Sequence, residues 1–142
     1  MRKAELSDGW TRARDSEEFF EDRFRIDIRN DLQTDCEISQ NGFRTIRLRD
    51  LLAGRPRLYR ARKLRFFIVQ HDVEEPFEVY WKVLNQGSEA IRRDMIRGQI
   101  VRDKGFRECK EASDFRGDHI VECAIVKNGV MVARDRVDVP IE

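Results

Sequence analysis

The sequence predicts an all-β protein: an immunoglobulin-like antiparallel β-sandwich of seven to eight strands with a short helical N-terminal lead-in. Apolar and polar residues alternate in several short segments, as in half-buried strands. These segments recur at a spacing of roughly ten residues, and Gly, Pro and Asn turn residues separate them. We therefore divide the chain into a lead-in, residues 1–24, and a sandwich domain, residues 25–142.

The lead-in contains the sequence DSEEFF at residues 15–20, followed by Phe24. Small polar and acidic residues before an apolar pair are typical of a helix N-terminus. This pattern predicts a short capped helix with one apolar edge.

The first strong alternation lies in residues 32–39 and predicts a half-buried strand. Asn41 and Gly42 follow, and Asn-Gly is the strongest short signal for a hairpin turn. A second strand is expected immediately afterwards, carrying Phe43, Ile46 and Leu48.

The middle of the chain predicts three more strands. Residues 64–70, LRFFIVQ, are apolar on both faces, as expected for an inner strand. Residues 77–83 alternate so that Trp81 points into the core. Residues 95–101 form a weaker strand with Gly98 at a bulge.

The last third of the chain predicts a polar connection over residues 105–115 and then a hairpin. Its strands cover residues 119–126 and 130–139, joined by a turn at Asn128 and Gly129. Pro140 is expected to end the last strand.

Composition excludes several classes of protein. The 142 residues carry 28 basic and 27 acidic side chains, so the net charge of +1 does not by itself indicate a polyanion-binding protein. The chain has no apolar run long enough to span a membrane and no apolar segment of a secretory signal near its start. We therefore expect a cytoplasmic protein without membrane contact.

Three cysteines, Cys36, Cys109 and Cys123, lack the CxxC spacing of a zinc site. An odd number of cysteines is also a poor disulfide framework. Cys36 and Cys123 stand in alternating apolar segments, where we expect them to be small buried hydrophobic residues.

Arginine predominates among the basic residues, and it clusters. Residues 44–65 contain eight arginines and one lysine against one acid. Arginine binds phosphate and carboxylate in a bidentate manner, so the cluster indicates an anion site. The alternative is a solvated loop whose charges pair with the acidic residues 15–22.

Two further arginines, Arg97 and Arg116, precede glycines at which a ligand can approach the backbone closely. We propose that arginines hold the phosphate of a ligand, that aromatic rings stack on its base, and that Asp118 and His119 contact its polar edges. The candidate ligand-binding residues are Arg44, Arg49, Arg97, Arg116, Asp118, His119, Phe43 and Tyr59.

Motifs of known enzyme classes are missing from the sequence. It contains no P-loop, no nucleophile elbow and no dinucleotide-binding glycine fingerprint. We therefore expect no catalytic residue, no metal and no cofactor.

Six segments together resemble a known family in their order and spacing. They are QNGFR at 40–44, LRDLL at 48–52, YWKVLNQG at 80–87, IRGQI at 96–100, FRGDH at 115–119 and VARDRVDVPI at 132–141. The series resembles the sensor domain found C-terminal to bacterial adenylyl/guanylyl cyclases and to SMODS, the second-messenger oligonucleotide or dinucleotide synthetases. The resemblance covers about residues 9–142.

The resemblance implies a sensor in prokaryotic antiviral defence that is based on nucleotide second messengers. Such a domain detects a ligand or an infection cue. It passes the signal to a fused or neighbouring nucleotidyltransferase, cyclase or effector. The chain lacks the Gly-Ser…Asp-x-Asp site of the synthetases, so the resemblance does not extend to messenger synthesis.

The sequence thus favours a non-catalytic sensor that binds a nucleotide or another anionic small molecule. A protein-interaction module that recognises an acidic partner or a phage component is the alternative from another class. Binding of single-stranded nucleic acid is a third, less favoured reading, since no known nucleic-acid module is present.

Overall fold

The computed structural model describes residues 17–39, 46–47, 63–85, 98–112 and 117–141. Within these ranges the chain forms one short helix and nine strands. The helix and the first four strands are α1 (Phe20–Arg23), β1 (Arg25–Ile26), β2 (Leu32–Ser39), β3 (Ile46–Arg47) and β4 (Lys63–His71). The others are β5 (Glu78–Asn85), β6 (Ile100–Arg102), β7 (Glu108–Ala112), β8 (Gly117–Lys127) and β9 (Val130–Ile141).

The strands form two sheets that pack face to face. One sheet has the order β1-β9-β8-β5-β6, and the other has the order β3-β2-β4-β7. All described pairings are antiparallel except that of β1 with β9. This confirms the predicted all-β sandwich. The strands beyond the predicted eight include β1 and β3, which have two residues each.

The core lies between the sheets and is filled by alternate residues of the long strands. On β5, Val79, Trp81 and Val83 enter this core, where they meet residues such as Phe66 of β4. Trp81 is 4% exposed, which confirms its predicted position. The intervening residue Tyr80 faces the other side of the sheet and belongs to a second apolar cluster.

The predicted hairpin between the last two strands is confirmed. Asn128 and Gly129 both have positive φ, 54° and 77°, as a tight hairpin turn requires. The last strand does not end before Pro140, because β9 continues to Ile141 and Pro140 pairs with Asp118. There β9 has no second described neighbour, so proline's missing N–H costs no ladder bond.

The predicted polar connection over residues 105–115 was wrong, since it contains strand β7. This strand pairs with β4, and Cys109 lies opposite Phe66. The charged sequence ECKEA has little strand propensity of its own, so the pairing with β4 imposes the conformation. The predicted turn at Asn41 and Gly42 lies outside the described residues, as do Phe43 and Leu48.

The described lead-in forms a third layer. The helix α1 is a single turn preceded by Phe19, which makes no side-chain cap, so the predicted capping was wrong. Phe20 is buried, and Phe24 packs against Tyr80 with ring centroids 4.9 Å apart. The predicted apolar edge therefore covers the outer face of the five-stranded sheet. Within the described ranges, no helix has the length and apolarity needed to cross a membrane.

A polar contact joins the two sheets beside the core. The register of β2 against β4 shifts between Gln33 and Thr34. The Thr34 N–H and hydroxyl both donate to Asp135 Oδ2 on β9, each at 2.7 Å. Thr34 is buried, so its two donors depend on this carboxylate.

We predict that Asp135→Ala lowers the free energy of unfolding by about 1–3 kcal/mol, because it leaves two buried donors of Thr34 without this acceptor. Urea denaturation measures the change. The control is Asp138→Ala on the same strand. Asp138 is exposed and accepts a hydrogen bond from Arg136, so its loss should cost about 0.5 kcal/mol or less. Equal losses in the two variants would contradict the inter-sheet role.

The three cysteines are free thiols and differ in environment. Burial raises the pKa of the Cys36 thiol to about 12. Burial also raises the pKa of Cys123 well above its usual value. Cys109 on β7 is partly exposed. The expected burial of Cys36 and Cys123 is therefore confirmed.

We predict that one thiol per native chain reacts quickly with a disulfide reagent such as DTNB, because only a thiolate attacks and two thiols are buried. The fast phase should disappear in Cys109→Ser, and the other two thiols should react only in denaturant. A fast phase of two or three thiols in the native protein would contradict this assignment.

Candidate functional site

A pocket of about 420 Å³ opens at the side of the sandwich, where β6 of one sheet faces β7 of the other. Trp81 and Val83 of β5 contribute to its wall, and Val101 and Arg102 of β6 flank them. The connection from β6 to β7 and the strand β7 supply the opposite side. Cavities of this size are typical of small-molecule sites.

Asp103 fixes the connection that closes one end of the pocket. Its Oδ2 accepts the main-chain N–H of Gly105 at 2.8 Å and of Arg107 at 2.9 Å. Its Oδ1 accepts the N–H of Glu108 at 3.1 Å and the indole N–H of Trp81 at 2.9 Å. A single carboxylate therefore holds the turn and ties it to the core tryptophan.

The backbone of this turn needs unusual conformations. Gly105 has φ of 109° and Arg107 has φ of 55°, and both are stabilised by the donation of their N–H groups to Asp103. The Arg107 guanidinium lies 4.8 Å from the centre of the Phe77 ring and pairs with Glu75. The turn is thus anchored on the loop between β4 and β5 as well.

Apolar surface is exposed at the mouth of the pocket. Phe106 is 77% exposed and Val101 is 54% exposed, although both are large apolar residues. An aromatic ring held in water beside a cavity is available to stack on a planar ligand.

Charged groups of both signs line the pocket. The basic residues are Arg102, Lys104 and Lys110, and the acidic residues besides Asp103 are Glu108 and Glu111. Arg102 pairs with Glu78 at 3.0 Å, and Lys110 pairs with Glu108 at 3.6 Å. The arrangement offers carboxylates for hydrogen-bond donors and ammonium or guanidinium groups for an anion.

Most of the residues predicted from the sequence as a binding site lie outside the described residues. These are Arg44, Arg49, Arg97, Arg116, Phe43 and Tyr59. The main chain of Asp118 pairs with Pro140 within β8 and β9. His119 is 2% exposed and shares its side of β8 with the core residues Val121 and Cys123. Their roles in binding stay predictions.

The sequence analysis missed the described pocket, because its lining comes from three strands and a turn that appeared to be a plain polar connection. One signal was present. The sequence Asp103-Lys104-Gly105 is typical of a turn in which an Asp side chain accepts main-chain N–H groups.

The chain matches the family described as Adenylyl/Guanylyl and SMODS C-terminal sensor domain over residues 14–142. The match covers most of the chain, and the chain belongs to this family. This confirms the resemblance found in the sequence. No protein with a curated description matches significantly. The family is a sensor domain and not the catalytic domain of these systems.

We predict that Asp103→Ala releases the turn. Loss of a carboxylate that accepts four hydrogen bonds should lower the free energy of unfolding by about 1–3 kcal/mol. Trp81 fluorescence should shift to longer wavelength as water reaches the indole; Trp10→Phe in all proteins removes the other tryptophan.

The matched control is Asp22→Ala, at an exposed position of α1. It should leave the Trp81 emission unchanged. An unchanged emission in Asp103→Ala would show that Asp103 does not position the indole.

Proposed function

We propose that this sensor domain binds a nucleotide, or another phosphate-bearing small molecule, in the pocket between β6 and β7. The observation that carries the proposal is the combination of a cavity of small-molecule size with an exposed ring, Phe106, and cationic groups at its rim.

The chemistry of the lining fits the two ends of a nucleotide. The base would stack on Phe106, and its amino group would donate to a carboxylate of Glu108 or Glu111. The phosphate would pair with Lys104, for which no ion-pair partner is found among the described residues. Asp103 would take no part in binding, because the turn and Trp81 occupy its oxygens.

The arginines predicted from the sequence remain candidates for the same ligand. Arg97 directly precedes Gly98 and the pocket residue Gln99 in the chain. We propose that Arg97 adds to the phosphate contact, and that Arg116 does so from the start of β8.

Membership of the family supports a role beside a cyclase or a SMODS-type synthetase. We extend this to a cytoplasmic, non-catalytic role in prokaryotic antiviral defence. Ligand binding would change the signal to a fused or neighbouring nucleotidyltransferase, cyclase or effector.

We predict that one class in a panel of cyclic mono-, di- and trinucleotides and linear nucleotides raises the melting temperature. A ligand present at about 100 times its Kd should raise it by about 5–10 °C. Lys104→Ala and Phe106→Ala should each weaken binding of that class by about tenfold, as measured by calorimetry.

The controls remove the same features elsewhere. Arg29→Ala deletes an exposed positive charge and Ile28→Ala an exposed apolar side chain. Both residues follow β1, at the sheet edge opposite β6. These variants should bind like the wild type. A flat panel, or equal losses in the controls, would contradict the pocket assignment.

A protein-interaction role is a second candidate, favoured by one observation. β7 is an outer strand of its sheet, and among the described strands it pairs with β4 alone. Beside it, Phe106 and Val101 expose apolar surface, as in sheets that accept an extended segment of a partner. In that case the nucleotide panel would be flat, and Phe106→Ala would abolish partner binding.

A further inference from the structure

The described lead-in, residues 17–24, crosses the outer face of the five-stranded sheet from one edge to the other. Glu18 bonds to the chain beside β6, Phe20 packs in the apolar cluster with Tyr80, and β1 pairs with β9 at the far edge. We call residues 17–24 the strap.

The strap covers a lysine that is buried. The Lys82 side chain is 4% exposed, and its Nζ lies 2.7 Å from Glu17 Oε2 of the strap and 3.6 Å from Glu122 Oε2 of β8. It also lies 4.7 Å from the centre of the Phe19 ring. A buried ammonium depends on its counter-ions, so the strap and Lys82 stabilise each other.

The strap also grips the main chain around β6. The Glu18 N–H donates to Gly98 O at 2.8 Å, and the Ile100 N–H donates to Glu18 Oε1 at 2.6 Å. Arg23 Nη1 donates to Ile100 O at 3.2 Å. The strap therefore satisfies main-chain groups on the edge of the sheet that would otherwise need solvent.

Gly98 allows the close approach. A Cβ at this position would lie 2.9 Å from the Glu17 Cα and 2.8 Å from its Cγ. The first contact is with backbone, so a side chain at residue 98 would push the strap away.

The same strands line the pocket. Of the three residues of β6, Ile100 is held by the strap, whereas Val101 and Arg102 line the cavity. On β5, Lys82 faces the strap and its neighbour Trp81 faces the cavity. A strand of three residues cannot change position in the pocket while the main-chain atoms that the strap holds stay in place.

We propose that the strap and the pocket are coupled through β6, so that a filled pocket holds the strap closed and release of the strap loosens the pocket. Coupling of this kind acts equally in both directions. The inference rests on the proposed function only for the identity of the ligand. It gives the domain a route by which a binding event reaches the chain that precedes the sandwich.

The test uses Glu17→Gln, which removes the counter-ion of Lys82 but keeps the shape of the side chain, and Gly98→Ala, which pushes the strap away. The matched control is Glu21→Gln, at an exposed position of α1. Hydrogen exchange of residues 17–24 measures strap release, and N-ethylmaleimide labelling of the pocket residue Cys109 measures pocket opening.

We expect both variants to speed strap exchange and Cys109 labelling by at least about tenfold, since loss of one partner of a buried ion pair is strongly destabilising. Glu21→Gln should match the wild type in both. The mass should show one adduct, because two or three adducts would indicate global unfolding with Cys36 and Cys123 exposed.

Fast strap exchange with wild-type labelling of Cys109 would overturn the coupling. Wild-type exchange in both variants would overturn the grip itself, and so would global unfolding in both. No nucleotide is used, so a flat nucleotide panel leaves this result standing, and a failed coupling leaves ligand binding untouched.

Discussion

The carboxylate of Asp103 is the constraint on which the candidate site depends. It gathers the indole N–H of Trp81 and three main-chain N–H groups of the connection from β6 to β7. That connection passes from one sheet to the other, so the carboxylate fixes the width of the sandwich at this edge. A cavity persists there because the turn is held from within and does not need to collapse onto the core.

The remaining architecture explains why this edge is suited to sensing. At the sides of β8 and β9 the sandwich is closed by long paired strands and by the contact of Thr34 with Asp135. At the other side β6 has three residues and is held on its free edge by the strap. A short strand between a cavity and a removable cover is easier to shift than the long central strands.

Much of the sandwich was predictable, because period-two patterns identify strands buried on one face. β2, β5 and the hairpin of β8 and β9 follow from such patterns and from Asn128-Gly129. β7 was not predictable, since only its pairing with β4 makes the charged sequence ECKEA extended. The apolar edge of the lead-in was visible in its phenylalanines, but the buried Lys82 was not. An isolated lysine in a strand indicates a solvated position until its counter-ions, 65 and 40 residues away along the chain, are known.

The most direct test of the account is the indole N–H resonance of Trp81 in a ¹H–¹⁵N NMR titration with the nucleotide panel. The account predicts that one nucleotide class shifts this resonance together with the amides of Val101, Gly105 and Ile100, with smaller changes at β1. Saturable shifts confined to other parts of the molecule, with the Trp81 indole unmoved, would contradict a ligand site between β6 and β7.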